Sequence, residues 1–204
     1  MKKLGRVFTI PVAVAFVLGF TMKFVRLGLI LLFALAVVSA PAAQQNVIRA
    51  RAILHDAWGQ EVGTVLFTQA PADQNFPTPA VDVVARVESL TPGFHGIHIH
   101  EIGTCDPPFS TAGGHFDPGP FGNSNPDANH PFHMGDLPNL EVNKGGVGHL
   151  RGTTNRITLT PGPLSIFDPN GSAVIIHRDP DQGTTGVPGG SGGPRIACGV
   201  IVLN

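Results

Sequence analysis

The chain has 204 residues, 42% of them hydrophobic and only 13% charged, with 26 Gly and 19 Pro. Gly or Pro interrupts nearly every window, so nothing beyond the N-terminus sustains the i, i+3, i+4, i+7 apolar pattern of a long helix. Residues 1–42 hold five of the 13 basic residues and none of the 14 acidic ones; the remainder has a net charge of −6, which argues against a nucleic-acid partner.

In chain order, a first apolar run spans Val7 to Phe20. Met22-Lys-Phe-Val-Arg26 then gives a basic start, Leu27 to Val38 an unbroken apolar stretch, and Ala40-Pro-Ala42 small residues for cleavage, the layout of a secretory signal peptide. Residues 1–42 are expected to be a leader, with Met22 as an alternative start, and residues 43–204 a single β domain. Each run is shorter than the ~20 residues that span a bilayer and a basic break separates them, so no lasting membrane anchor is expected, an anchor being the alternative.

Ile48, Ala50, Ala52 and Leu54 alternate with more polar neighbours, and after the turn Asp56-Ala-Trp-Gly59 the run Glu61 to Gln69 continues in the same style, predicting a hairpin with one buried face. A Pro-rich turn over 70–79 leads to 80–89, where Val81, Val83, Ala85 and Val87 oppose Asp82, Arg86 and Glu88. The next strand reads Gly93-Phe-His-Gly-Ile-His-Ile-His-Glu101. Strand parity puts His98 and His100 on one side, close enough for two imidazoles to bind one metal ion, and Ile97 and Ile99 on the other. His95 shares the parity of the isoleucines and is expected inside, where it needs hydrogen-bond partners more than a metal.

From Gly103 to Asp136 periodicity disappears and Gly, Pro, Asn and Asp dominate. Here lie His115, in Ala-Gly-Gly-His-Phe-Asp-Pro, and His130, His133 and Asp136, in His-Pro-Phe-His-Met-Gly-Asp-Leu. A long loop in a compact domain is normally functional or disordered, and bound metal would hold this one in place. Apolar runs resume at Leu137 to Val142 and Gly146 to Leu150 around Asn143-Lys-Gly-Gly146; then come Ala173 to His177, a Gly-rich loop from Arg178 to Pro194, and a final strand from Arg195 to Leu203. Eight short strands with two long loops predict an all-β domain, an eight-stranded antiparallel Greek-key barrel or sandwich. Trp58 and the 13 Phe are expected to be packing residues, and His55 and His149, outside the motifs, to be exposed.

Seven of the nine histidines, counting His95, fall in these motifs. Four imidazole nitrogens in a flattened arrangement suit Cu(II), and three His plus one Asp in a tetrahedron suit Zn(II). The supply matches one of each if a single imidazole is shared. Cys105 and Cys198 are the only cysteines. In an exported protein such a pair is usually a disulfide, worth on the order of 4 kcal/mol for a loop this long, with a catalytic thiol or metal thiolates as the alternatives.

Together with Gly-Pro-Arg-Ile-Ala-Cys-Gly-Val-Ile at 193–201, these motifs resemble, in content and order over nearly all of residues 46–204, the copper/zinc superoxide dismutases of the exported bacterial type. The resemblance implies copper on His98, His100, His115 and His177, and zinc on His115, His130, His133 and Asp136, with His115 bridging the two. It implies that Arg195 attracts the superoxide anion beside copper, and that Cys105 and Cys198 form the family disulfide. Asp181 would be the carboxylate that hydrogen-bonds one copper and one zinc ligand, and His95 a structural histidine. The implied activity is dismutation of superoxide to dioxygen and hydrogen peroxide by alternate reduction and reoxidation of copper, in a periplasmic, cell-envelope or extracellular enzyme that is a monomer or homodimer. His130 and His133 are separated by only two residues, tighter than in eukaryotic members, and the second loop lacks the Lys and Glu residues that steer substrate in many relatives. Weak steering and a modest salt dependence are therefore expected. The rival class is a non-enzymatic copper/zinc-binding or metal-chaperone-like module on the same fold, with a hydrolytic zinc enzyme as a weaker third.

Overall fold

The computed structural model describes residues 47–71, 79–118, 133–182 and 192–204. They form nine strands: β1 (Ile48–Asp56), β2 (Glu61–Gln69), β3 (Val81–Val87), β4 (Gly93–His95), β5 (Ile97–His100), β6 (Leu140–Val142), β7 (Gly148–Thr154), β8 (Ala173–His177) and β9 (Arg195–Leu203). The ladders between them are antiparallel, in one sheet of order β4-β6-β7-β3-β2-β1-β9-β8-β5. The two ends of that order, β4 and β5, are separated in the chain by Gly96 alone, so the sheet curls into a nearly closed barrel.

Period-two alternation reads residues 93–101 as one strand, and so eight strands in all. The structure has nine because the chain changes partner at Gly96, from β6 to β8. Gly96 N–H donates to the Asp179 carbonyl, and its own carbonyl accepts from His177 N–H, both at 2.8 Å. Alternation reports which face a side chain takes, not which strand its backbone bonds, so the switch leaves no trace in the pattern.

The β1–β2 turn is built by Asp56, whose Oδ1 accepts from the N–H groups of Trp58 and Gln60 at 2.9 Å, with Gly59 at φ 84°. Trp58 rides on the tip of that turn and is 91% exposed, so it is not the packing residue its size suggests. Among the phenylalanines, Phe67, Phe109 and Phe116 are buried whereas Phe94 is mostly exposed. His55 and His149 are exposed, as expected.

The inward positions of β1–β3 (Ala50, Ala52, Leu54, Val65, Phe67, Val83 and Ala85) pack with Ile97, Ile99, Val174 and Ile176 into one core. Each such buried Val, Leu, Ile or Phe contributes roughly 1.5–3 kcal/mol. Strands β5 and β8 differ from the rest in being buried at every position. Their alternate residues His98, His100, Ala173, Ile175 and His177 lie on the outer face, which loops cover. Ala173 and Ile175 join Phe109, Ala112 and Cys198 in a second cluster, and the Cys105–Cys198 disulfide fastens that loop to β9.

The free edge of β5 is closed by backbone rather than by another strand. Phe116 N–H donates to Ile99 O at 2.8 Å, Ile99 N–H to Gly135 O at 2.9 Å and Leu137 N–H to Ile97 O at 3.3 Å. Position 135 must be Gly for this approach, because a Cβ there would lie 2.3 Å from the Ile99 carbonyl oxygen. The chain thus folds loop residues directly over the two strand histidines.

Candidate metal centre

Four histidines from three places meet on the covered outer face: His98 and His100 from β5, His177 from the end of β8, and His115 from the loop. One nitrogen from each lies within 4.8 Å of the others. Each strand histidine is held by its other nitrogen. His98 Nε2–H donates to Asp181 Oδ2 at 2.7 Å, His100 Nδ1–H to Gly113 O at 3.0 Å and His177 Nδ1–H to Gly193 O at 2.7 Å. The nitrogens left over, His98 Nδ1, His100 Nε2 and His177 Nε2, are buried and have no hydrogen-bond partner. Burial first, and then His115 and Arg195 as positive neighbours, holds His100 well below the ordinary imidazole value. Burial and His98 push His177 down to about 3. Both rings are therefore neutral at physiological pH, the form that ligates metal.

His115 also belongs to a second group with His133 and Asp136. Its Nδ1 lies 2.6 Å from Asp136 Oδ1, and Asp136 Oδ2 accepts from His133 N–H at 2.9 Å and lies 3.4 Å from His133 Nδ1. Burial alone would raise the Asp136 pKa; hydrogen bonds from His115 and His133 outweigh it and hold the carboxyl well below the usual carboxylate range. Burial lowers His115 as well, against the hydrogen bond to Asp136. Two imidazoles and one carboxylate at this spacing are a donor set for a divalent ion, completed by one more ligand. His130, expected in that role, lies outside the described residues.

Arg195 stands opposite His177 in the β8–β9 ladder. Its Nη1–H donates to Phe109 O and its Nη2–H to Gly113 O, both at 2.5 Å, so Gly113 O receives both the arginine and His100. The disulfide loop therefore orients a permanent cation beside the four-histidine group. His95 is buried as its parity requires, with Nδ1 2.8 Å from His177 O and Nε2 2.8 Å from Thr91 O.

The family model for copper/zinc superoxide dismutase matches residues 61–201. The chain belongs to the copper/zinc superoxide dismutases. It is 37% identical to superoxide dismutase [Cu-Zn] of Deinococcus radiodurans over 87% of this chain and 97% of that one. Against superoxide dismutase [Cu-Zn] 1 of Salmonella typhimurium it is 32% identical over 88% and 99%. Among solved structures, a SOD-like protein from Bacillus subtilis superposes with TM-score 0.60 at 34% identity, covering 74% of this chain and 97% of that chain. The Cu/Zn superoxide dismutase of Brucella abortus does so with TM-score 0.57 at 30% identity over 74% and 98%. The enzyme uses copper and zinc to convert superoxide to dioxygen and hydrogen peroxide. A non-enzymatic metal store finds no support in the site or in these relatives.

Two residues of this dismutase were not legible as part of the centre. Asn139 grips the backbone of Asp181 twice, donating from Nδ2 to Asp181 O at 2.9 Å and accepting at Oδ1 from Asp181 N–H at 2.8 Å. A half-buried Asn just before the β6 strand was the available signal, a weak one because Asn is equally at home in turns. Arg156 donates from Nη2 to the carbonyl of Asp136. Nothing in its local sequence distinguishes it from a solvated charge.

Proposed function

We propose that this dismutase holds copper on His98, His100, His115 and His177, and zinc on His115, His133 and Asp136, with His130 as the remaining zinc ligand. The observation that carries the assignment is the set of three buried, unpartnered nitrogens, each on a ring whose other nitrogen is already bonded. Each would cost about 1–3 kcal/mol if left uncompensated, and one ion satisfies all three at once. Bound there, copper supplies a one-electron redox couple and zinc a fixed divalent charge.

The chain's own residues do the rest. Asp181 accepts from His98 Nε2–H and so fixes the tautomer that leaves Nδ1 bare. Arg195, with two of its five donors spent on carbonyls, keeps the others for a small anion arriving beside His177. His115 has Nδ1 engaged by Asp136, so Nε2 is the atom at which one proton is taken up and then handed to the second superoxide as it is reduced. The other proton of hydrogen peroxide comes from water. Arg195→Ala should keep the metal content and lower the second-order rate with superoxide on the order of tenfold. Loss of copper in that variant would make Arg195 a structural residue instead.

Export is the second part of the reading. A leader over residues 1–42 that is removed, and work in the periplasm or outside the cell, are supported by the basic, apolar and small-residue segments in order. The disulfide adds support, since such bonds persist in oxidising compartments, and no described helix is long and apolar enough to cross a membrane. Intact mass of the purified protein should place its N-terminus near residue 43. A chain still beginning at Met1 or Met22 would contradict cleavage.

A further inference from the structure

We propose that Arg156 is a positioning residue for the zinc side of the centre: it pins the backbone of Asp136 to the barrel and so fixes the carboxylate that His115 and His133 share. The proposal rests on Asp136 being a zinc ligand. Arg156 follows β7, whose last residue, the buried Thr154, pairs with Val81 in the barrel ladder. Thr154 Oγ1 accepts from the backbone N–H of Arg156 at 3.2 Å and lies 3.5 Å from its Nε, while Nη2 donates to the Asp136 carbonyl oxygen. One planar group thus connects a rigid strand end to the residue that carries the carboxylate.

The backbone at Asp136 bridges His98 of β5, flanked by the 2.9 Å bond from Ile99 N–H to Gly135 O, and the remaining contacts of Asp136 come from its own loop. Its N–H donates to His133 O at 3.3 Å, Oδ2 accepts from His133 N–H, and Oδ1 faces His115 Nδ1. The neighbouring Leu137 N–H reaches Ile97 O at 3.3 Å, a long bond. Arg156 is therefore a side-chain anchor from outside that loop. Its charge has the opposite tendency: a cation near a divalent ion repels it. Positioning and field thus predict opposite signs, and removing the arginine separates them.

The test uses the disulfide-bonded protein loaded with copper and zinc, following zinc transfer to a chromophoric chelator while copper is measured in the same samples. Arg156→Met should release zinc about 10–100-fold faster with copper retention unchanged. Arg156→Lys, which restores a donor but not the fork, should fall between, and carries the test should the Met variant not fold. Cobalt substituted for zinc should show altered visible bands in Arg156→Met. Unchanged or slower zinc release would overturn the proposal, as would loss of both metals in step, which marks general destabilisation. Asp136→Ala serves as the separate control: if that variant keeps zinc like the parent, the ligand assignment has failed, and the role of Arg156 falls with it.

Discussion

At the scale of single residues, the centre depends on what each histidine does with its second nitrogen. His115 differs from the others because the carboxylate its Nδ1 meets, Asp136, itself belongs to the second donor group, which places one ring in both. His115→Ala should therefore lower copper and zinc content together, read by elemental analysis of the purified protein; loss of only one metal would show that the ring is not shared. The strand histidines were legible because parity needs no knowledge of the fold: His98 and His100 share a face wherever the strand goes. Asn139 and Arg156 were not, because they act on backbone atoms of residues distant in sequence, Asn139 on Asp181 and Arg156 on Asp136. Trp58 misled for the converse reason, since its size suggests burial while Asp56 decides where the turn carries it.

At the scale of elements, β5 is the part on which the centre depends. One face sends Ile97 and Ile99 into the core, the other presents the histidines, and its free edge is sealed by Phe116, Gly135 and Leu137. Gly135→Ala should strain that seal, since the new Cβ would meet the Ile99 carbonyl at 2.3 Å, and lower stability by about 1–3 kcal/mol. Urea unfolding of the variant measures this; a midpoint equal to the parent's would mean that the loop stands off from the strand. β2, β8 and β9 begin and end where the apolar alternation and turn residues predict. The split of 93–101 and the 3-10 turn Ser110–Ala112 were not legible. The first is a change of partner, and the second is shaped by Phe109, Ala112 and the disulfide packing on β8 and β9, contacts that no local pattern encodes.

At the scale of the whole molecule, the centre costs folding free energy before it binds anything, because several imidazoles are buried in their neutral form. The folded-state pKa of His177, about 3, lies below the ordinary 6.5, so its contribution is full above pH 6.5 and is lost as pH falls toward 3. For this residue alone that amounts to about 3 kcal/mol between pH 7 and pH 4. His100 and His115 are lowered too and act in the same direction, and Asp136 adds its own loss at more acidic pH. The metal-free protein should therefore show urea midpoints that fall steadily below pH 6.5; flat midpoints down to pH 4 would mean that the rings are hydrated and already protonate freely. The central claim, that one covered face of this barrel holds a redox metal beside a structural one, is tested most directly by copper and zinc content of the disulfide-bonded protein together with the dismutation rate per bound copper. One copper and one zinc per chain with rapid turnover is the predicted result. Zinc alone, with no activity after copper is supplied, would contradict it.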